Sequence, residues 1–228
     1  MTLGWDNPAE DPTTTVLLRH GDTELSPEHR FCGLRDVPLS ADGARQARAA
    51  ASRLATGAPI DAVVSSPLQR AVATAAIAAG ELGLTAVIDD DLRETDFGEW
   101  GGFTLAEIQE RWPAAAAAWR RSTDQAPPGG ESFADTARRV NRACDRLLRD
   151  YAGHTVLVVS HITPIKVLLC RALGVPLGTL YRLYLGSACI NEIQWYGRGF
   201  AAVHHVNDTS HLPLSQPARP SGRPGRPA

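Results

Sequence analysis

The feature that most constrains this chain is a repeated pairing of a short, β-branched apolar run with a helix-length segment behind it. Thr14–Leu18 reads as a buried strand, and Ser40 then caps an Ala- and Arg-rich helix running to about Ala55. Ile60–Val64 is a second strand. The helix after it takes Ser66 as its cap, Pro67 as its first residue and Gly80 or Gly83 as its end. Thr85–Ile88 makes a short third strand, and Thr155–Val159 is the clearest buried strand of all. Alternation of this kind predicts an α/β fold, a three-layer α/β/α sandwich with a mostly parallel central sheet. Hydrophobic residues make up 43% of the chain, enough to cover both faces of such a sheet.

The remaining elements follow from caps and breaks. Thr104 with Glu107 forms a capping-box pattern for a short helix up to Trp112-Pro113, and Ala114–Arg121 continues in helical composition. Pro127-Pro128-Gly129-Gly130 is a firm break. Ser132 with Asp135 opens a long amphipathic helix to about Tyr151, whose arginine-bearing face is expected in solvent. Thr163-Pro164 starts a helix ending near Gly174, and two strands near Ala188–Trp195 and Phe200–Val206 close the chain. Residues 1–13 read as a flexible arm, and 14–210 as one domain with a substrate-recognition region at about 95–131. Residues 211–228 form a Pro-, Gly- and Arg-rich tail that cannot build a core and is expected to be disordered.

Ligands of open α/β sheets bind beyond the carboxyl ends of the strands. Here those ends carry Arg19-His20-Gly21, then Ser65-Ser66-Pro67 with Arg70 in the next helical turn, then Asp91-Leu92-Arg93-Glu94, then Ser160-His161. Two arginines, two histidines and a glutamate thus converge on one rim. A phosphate monoester needs fixed donors for the charge on its transferring phosphoryl group. Two arginine forks supply them, Gly21 allows close approach of backbone, and helix N-termini add N–H groups. A neutral imidazole is a competent nucleophile for phosphorus, and Glu94 is the carboxyl group placed to protonate a leaving alkoxide and then activate water. Taken singly, each arginine also reads as a paired surface residue and each histidine as a satisfied loop residue. Glu94 shares its neighbourhood with Asp91, Asp96, Glu99 and Glu107, of which Asp96 is the next candidate for the acid.

The segments TVLLRHGDTE, SSPLQRAVATA, LRETDFGEWGG and VVSHITPIK resemble the four signature blocks of the histidine phosphatase, or phosphoglycerate-mutase-like, superfamily. They occur in that family's order and cover nearly the whole chain from Thr15 to about Val206. The resemblance implies the family's fold and a phosphatase that needs no cofactor or metal. It implies His20 as the nucleophile that becomes phosphohistidine, with Arg19, Arg70 and His161 as the phosphate clamp. Glu94 would be the general acid and then base, and Gly21, Thr23 and Thr163 would lie at the phosphate. Two positions depart from the pattern: Ser26 stands where many members have Asn, and Ile162 where Gly is commoner.

Phosphoglycerate mutases resemble one another in a basic insertion soon after the acid. ETDFGEWGGFTLAEIQERW is acidic and aromatic instead, which favours a phosphatase. A mutase or phosphotransferase, and a silent phospho-ligand-binding module, remain the alternatives. DFGEWGGFT with PPGGES resembles the alpha-ribazole phosphatase and broad-specificity acid phosphatase branch. It is similar, too, to the phosphatase domain fused to ribonuclease HI in some actinobacterial proteins. Alpha-ribazole 5'-phosphate is a candidate substrate on that analogy, with Phe97, Trp100, Phe103 and Trp119 forming either an apolar wall or the core of the cap.

The net charge of -2 gives no argument for nucleic acid or an anionic membrane as partner. The expected partner is a small-molecule phosphate ester, and monomer and homodimer stay open. Cys32, Cys144, Cys170 and Cys189 form no CxxC pair, and no HxH or HExxH spacing suggests a metal site. With no apolar leader and no bilayer-length apolar run, a cytoplasmic location is expected.

Overall fold

The computed structural model describes residues 11–213. Its centre is a six-stranded sheet in the order β3-β2-β4-β1-β5-β6, made of Thr13–Arg19 (β1), Ala62–Ser65 (β2), Ala86–Ile88 (β3), Thr155–Ser160 (β4), Ile190–Trp195 (β5) and Ala201–Asp208 (β6). The first four strands are mutually parallel, while β5 and β6 run antiparallel at one edge. Continuous apolar runs such as Leu157, Val158 and Val159, all fully buried, belong in a strand covered on both faces.

Helices supply that cover. Ala41–Ala55 (α1) and Gln69–Leu82 (α2) bury a row of alanines against one face of the sheet, with Val16, Leu18, Val63 and Val159. Phe133–Asp150 (α5) and Ile162–Ala172 (α6) bury Val140, Leu147, Ile165 and Leu169 against the other, with Leu17, Val64 and Val158. This is the expected three-layer sandwich. A third cluster stands apart from the sheet, where Leu105–Arg111 (α3) and Pro113–Trp119 (α4) join Trp100, Trp119, Phe97 and Phe133 to Cys170 and Leu180. Trp100 is fully buried there and Phe97 and Trp119 nearly so; these three rings are core of the cap, and Phe103 packs against them partly buried.

Both capping boxes form as read, Thr104 with Glu107 and Ser132 with Asp135. Other boundaries move. Thr13, expected in the arm, is the first residue of β1, and residues 1–10 and 214–228 lie outside the described part. Ser66 does not cap α2: residues 66–68 stay non-helical, consistent with the bias of the residue before Pro67, and α2 starts at Gln69. The Gln69 N–H is met instead by Asp36 Oδ1 at 2.7 Å, from a distant loop. Gly83 ends this helix in the left-handed conformation. α6 starts at Ile162, one residue before Thr163, with His161 in the cap position.

The arginine face of α5 corrects the reading in part, since Arg138, Arg142 and Arg149 are exposed as expected and Arg139 and Arg146 are not. Arg139 is 3% exposed, and Arg146 pairs with Asp89 and Asp91. That stripe faces the loop behind β3, which carries the acids that attract it. Helical periodicity alone gives no sign of this, since the partners lie some fifty residues away in sequence.

Candidate active site

β1 and β4 are neighbours in register, with Arg19 opposite Ser160 and, one strand further, Ser65 opposite Val159. His20, His161 and Ser66 therefore leave three adjacent strands at one level. The rings of His20 and His161 stand 5.0 Å apart, centroid to centroid.

His20 is buried, and its Nδ1 lies 2.7 Å from the carbonyl oxygen of Gly21. A carbonyl only accepts, so Nδ1 carries the proton and Nε2 holds the lone pair. Arg70 Nε donates to that lone pair at 3.2 Å. Burial, followed by the charges of Arg19 and Arg70, holds the His20 imidazole well below its usual pKa range, so the ring is neutral near pH 7.

Arg70 is fully buried; its Nη1 donates to Arg35 O and its Nη2 to Gly33 O, both at 2.9 Å. Arg19 Nη1 donates to Leu185 O at 2.8 Å, while its Nε is buried without a partner among the described residues. His161 is fully buried too, with Nε2 2.7 Å from Ser66 Oγ and Nδ1 unpartnered. Two buried polar atoms, Arg19 Nε and His161 Nδ1, thus have no protein partner among the described residues.

Glu94 is buried on the same side. Its Oε1 accepts the Thr95 N–H at 2.9 Å and the Thr163 N–H, in the first turn of α6, at 3.3 Å. Thr163 thus meets the site through its backbone. Asp96, the next candidate for the acid, accepts the Gly98 N–H at 2.9 Å. Lys166, the sole lysine, lies one helical turn beyond Thr163, within electrostatic reach of Glu94 and Arg19, and burial lowers its pKa.

Two expected contacts take a different form. The Thr23 hydroxyl is engaged locally, 3.3 Å from Ser26 Oγ, and Ser26 Oγ accepts the Thr23 N–H at 2.9 Å. Ser26 therefore shapes this turn. Gly21 is required by packing as much as by any ligand, because a Cβ there would run into the Gly43 carbonyl of α1. No group of three or more His, Cys, Asp or Glu side chains among the described residues is arranged to hold a metal ion.

Three residues escaped the sequence reading: Ser66, read as a helix cap, and the pair Glu131 and Arg139. Arg139 donates to the carbonyl oxygens of Asp91 at 2.8 Å, Arg93 at 2.6 Å and Glu94 at 2.9 Å. It also grips both carboxylate oxygens of Glu131 at 2.9 Å. Burial works against the Glu131 carboxylate, but hydrogen bonds from Arg139 and the Asp96 N–H hold its pKa below the usual range. The only signal for this splint was the glutamate behind the PPGG break, seven residues from a helical arginine stripe.

The family model of the histidine phosphatase superfamily (branch 1) matches residues 15–209, and the chain belongs to that superfamily. It is 51% identical over 209 residues to Bifunctional protein Rv2228c of Mycobacterium tuberculosis, covering 92% of this chain and 57% of that protein. The chain thus spans little more than half the length of that relative. The solved structure of mycobacterial glucosyl-3-phosphoglycerate phosphatase Rv2419c superposes with a TM-score of 0.78 at 32% identity, covering 86% of this chain and 99% of that one. The alpha-ribazole phosphatase from Shigella flexneri gives 0.76 at 26% identity, over 86% of this chain and 96% of that one. No helix among the described residues is long and apolar enough to cross a membrane.

Proposed function

We propose that the chain hydrolyses small phosphate monoesters by way of a phosphohistidine, with side-chain cations and not a metal ion carrying the charge. The observation that supports this is the state of His20: a neutral ring, its proton committed to the Gly21 carbonyl and its Nε2 lone pair beside Arg70. On this reading Arg19, Arg70 and His161 receive the phosphoryl oxygens. His20 Nε2 bonds to phosphorus as the ester P–O bond breaks, and Glu94 gives its proton to the departing alkoxide. Water then attacks the phosphohistidine, Glu94 takes the water's proton, and inorganic phosphate leaves. Residues 95–110, which follow the acid, carry no lysine or arginine for a second phosphate, and Arg111 beyond them is stacked over the Phe103 ring at 4.5 Å. That favours hydrolysis over mutase chemistry. The relatives' names make glucosyl-3-phosphoglycerate and alpha-ribazole 5'-phosphate the first substrates to try, and neither is favoured by the pocket.

The test is hydrolysis of p-nitrophenyl phosphate and of those two esters in EDTA, by wild type and His20→Ala. Wild type is expected to turn over, and the variant to lose about a thousandfold or more in kcat. Acid-labile, alkali-stable label from a 32P-ester should appear on the wild-type chain alone. A wild type as inactive as His20→Ala on every ester overturns the reading.

A further inference from the structure

Ser66 and His161 are both fully buried, and Ser66 Oγ lies 2.7 Å from His161 Nε2. The same oxygen accepts the Leu68 N–H at 3.3 Å. A hydroxyl has one proton to give, and these are its only hydrogen-bond partners among the described residues. Two arrangements are open to the pair. If His161 carried its proton on Nε2, Ser66 would accept twice and its own buried proton would have no acceptor. Nδ1 would then offer a lone pair to a pocket shaped for an anion. If Ser66 donates to Nε2, the hydroxyl is satisfied on both sides and the imidazole proton must sit on Nδ1. Nδ1 is the buried atom without a protein partner, on the ring edge away from Ser66.

We propose that Ser66 is a positioning residue that fixes His161 in the Nδ1–H tautomer, so that Nδ1 presents a hydrogen-bond donor to the bound phosphoryl group. The arrangement mirrors His20, whose Gly21 carbonyl also places the proton on Nδ1, but it leads to the opposite use. His20 meets phosphorus with a lone pair, and His161 meets a phosphoryl oxygen with an N–H. Burial, followed by the neighbouring His20, Arg70 and Arg19, disfavours the charged form of His161. A neutral ring can donate from that position only in the tautomer that Ser66 selects. The role given to the donor rests on the phosphate-ester reading of the site; the tautomer itself is read without turnover.

The experiment uses the full chain with 15N-labelled histidine and long-range 1H–15N correlation near pH 7.5, with His161→Gln assigning the resonance. Wild type is expected to show His161 protonated on Nδ1. Ser66→Ala should lose that pattern, and Ser66→Thr, which retains the hydroxyl, should keep it. Inhibition by metavanadate should weaken about tenfold or more in Ser66→Ala, the scale of one hydrogen bond to a charged group, and less in Ser66→Thr. An Nε2–H pattern in the wild type overturns the proposal, even where a variant fails to fold. So does Ser66→Ala with both the Nδ1–H pattern and vanadate affinity unchanged. Wild type that shows Nδ1–H yet ignores vanadate sinks the phosphate-ester reading and leaves the tautomer assignment standing.

Discussion

Arg139 on α5 donates to the backbone carbonyl of Glu94 at 2.9 Å across 45 residues of sequence, and this bond ties the candidate acid to a helix otherwise remote from the pocket. With the bonds to Asp91 O and Arg93 O, one guanidinium satisfies three carbonyls of the segment that runs from the 3-10 turn at Asp90–Leu92 to the acid. Glu131 completes the splint, since its Oε2 accepts the Asp96 N–H at 3.0 Å and its own N–H donates to Asp96 O at 2.8 Å.

Arg139→Ala should therefore damage both stability and turnover. Removing one partner of a mostly buried ion pair, and leaving loop carbonyls unmet, costs about 3 to 5 kcal/mol in urea unfolding. Glu131→Gln keeps hydrogen-bonding capacity at the same place and should cost about 1 to 2 kcal/mol. In both variants kcat on p-nitrophenyl phosphate should fall, because the loop that aims Glu94 is loosened. Arg139→Ala with wild-type kcat and an unchanged urea midpoint would refute the splint.

Two helical glycines should respond to alanine with opposite signs. A Cβ on Gly43 would collide with the Asp22 carbonyl, backbone against backbone, where α1 packs on the loop behind β1. Nothing lies within 4 Å of a Cβ on Gly80 in α2. Gly80→Ala should stabilise the chain by about 0.5 to 1 kcal/mol, the helix-propensity gain. Gly43→Ala should destabilise it by about 1 to 3 kcal/mol despite that gain, because the overlap must push the His20 loop aside. Thermal melts decide the matter, and equal signs would contradict the packing described.

At Arg70, charge is less important than shape. Its three nitrogens serve His20 Nε2, Arg35 O and Gly33 O from one rigid plane. Lysine cannot reach all three. Arg70→Lys should lower kcat/KM about a hundredfold or more and weaken product inhibition by inorganic phosphate, although the formal charge is unchanged. A variant with wild-type kcat/KM would show that a point charge is sufficient there.

The parts of the site at strand ends were legible because strand periodicity and the strand-end rule act locally, and both hold for His20 and His161. The sheet layers were legible for the same reason. What stayed hidden depended on register between strands far apart in sequence. Ser66 looks like a helix cap until β2 is set beside β4, and only then does its hydroxyl meet His161. Arg139 looks solvated until the loop behind β3 is laid across α5. The cap aromatics carried two readings, wall or core, and composition had no means of choosing between them.

The same burial that keeps His20 and His161 neutral sets a pH dependence of stability. Both pKa values are depressed, chiefly by burial. The unfolded chain takes up protons at these positions below about pH 6.5, and the folded chain does not. The unfolded state thus binds more protons, and stability must rise with pH through this window. Stability from this source is complete above about pH 6.5. It is lost as the pH falls, at up to about 1.4 kcal/mol per pH unit for each neutral histidine. The carboxylates of Glu131 and Asp91, held low against burial by their arginine hydrogen bonds, add a separate loss only at lower pH, near and below about pH 4. Urea midpoints measured between about pH 8 and pH 5 should fall steadily on the acid side, and His161→Gln should flatten the slope by about one proton. A midpoint that holds constant or rises on acidification would mean that the imidazoles are protonated in the folded chain, and His20 would then lack the lone pair on which the proposed chemistry depends.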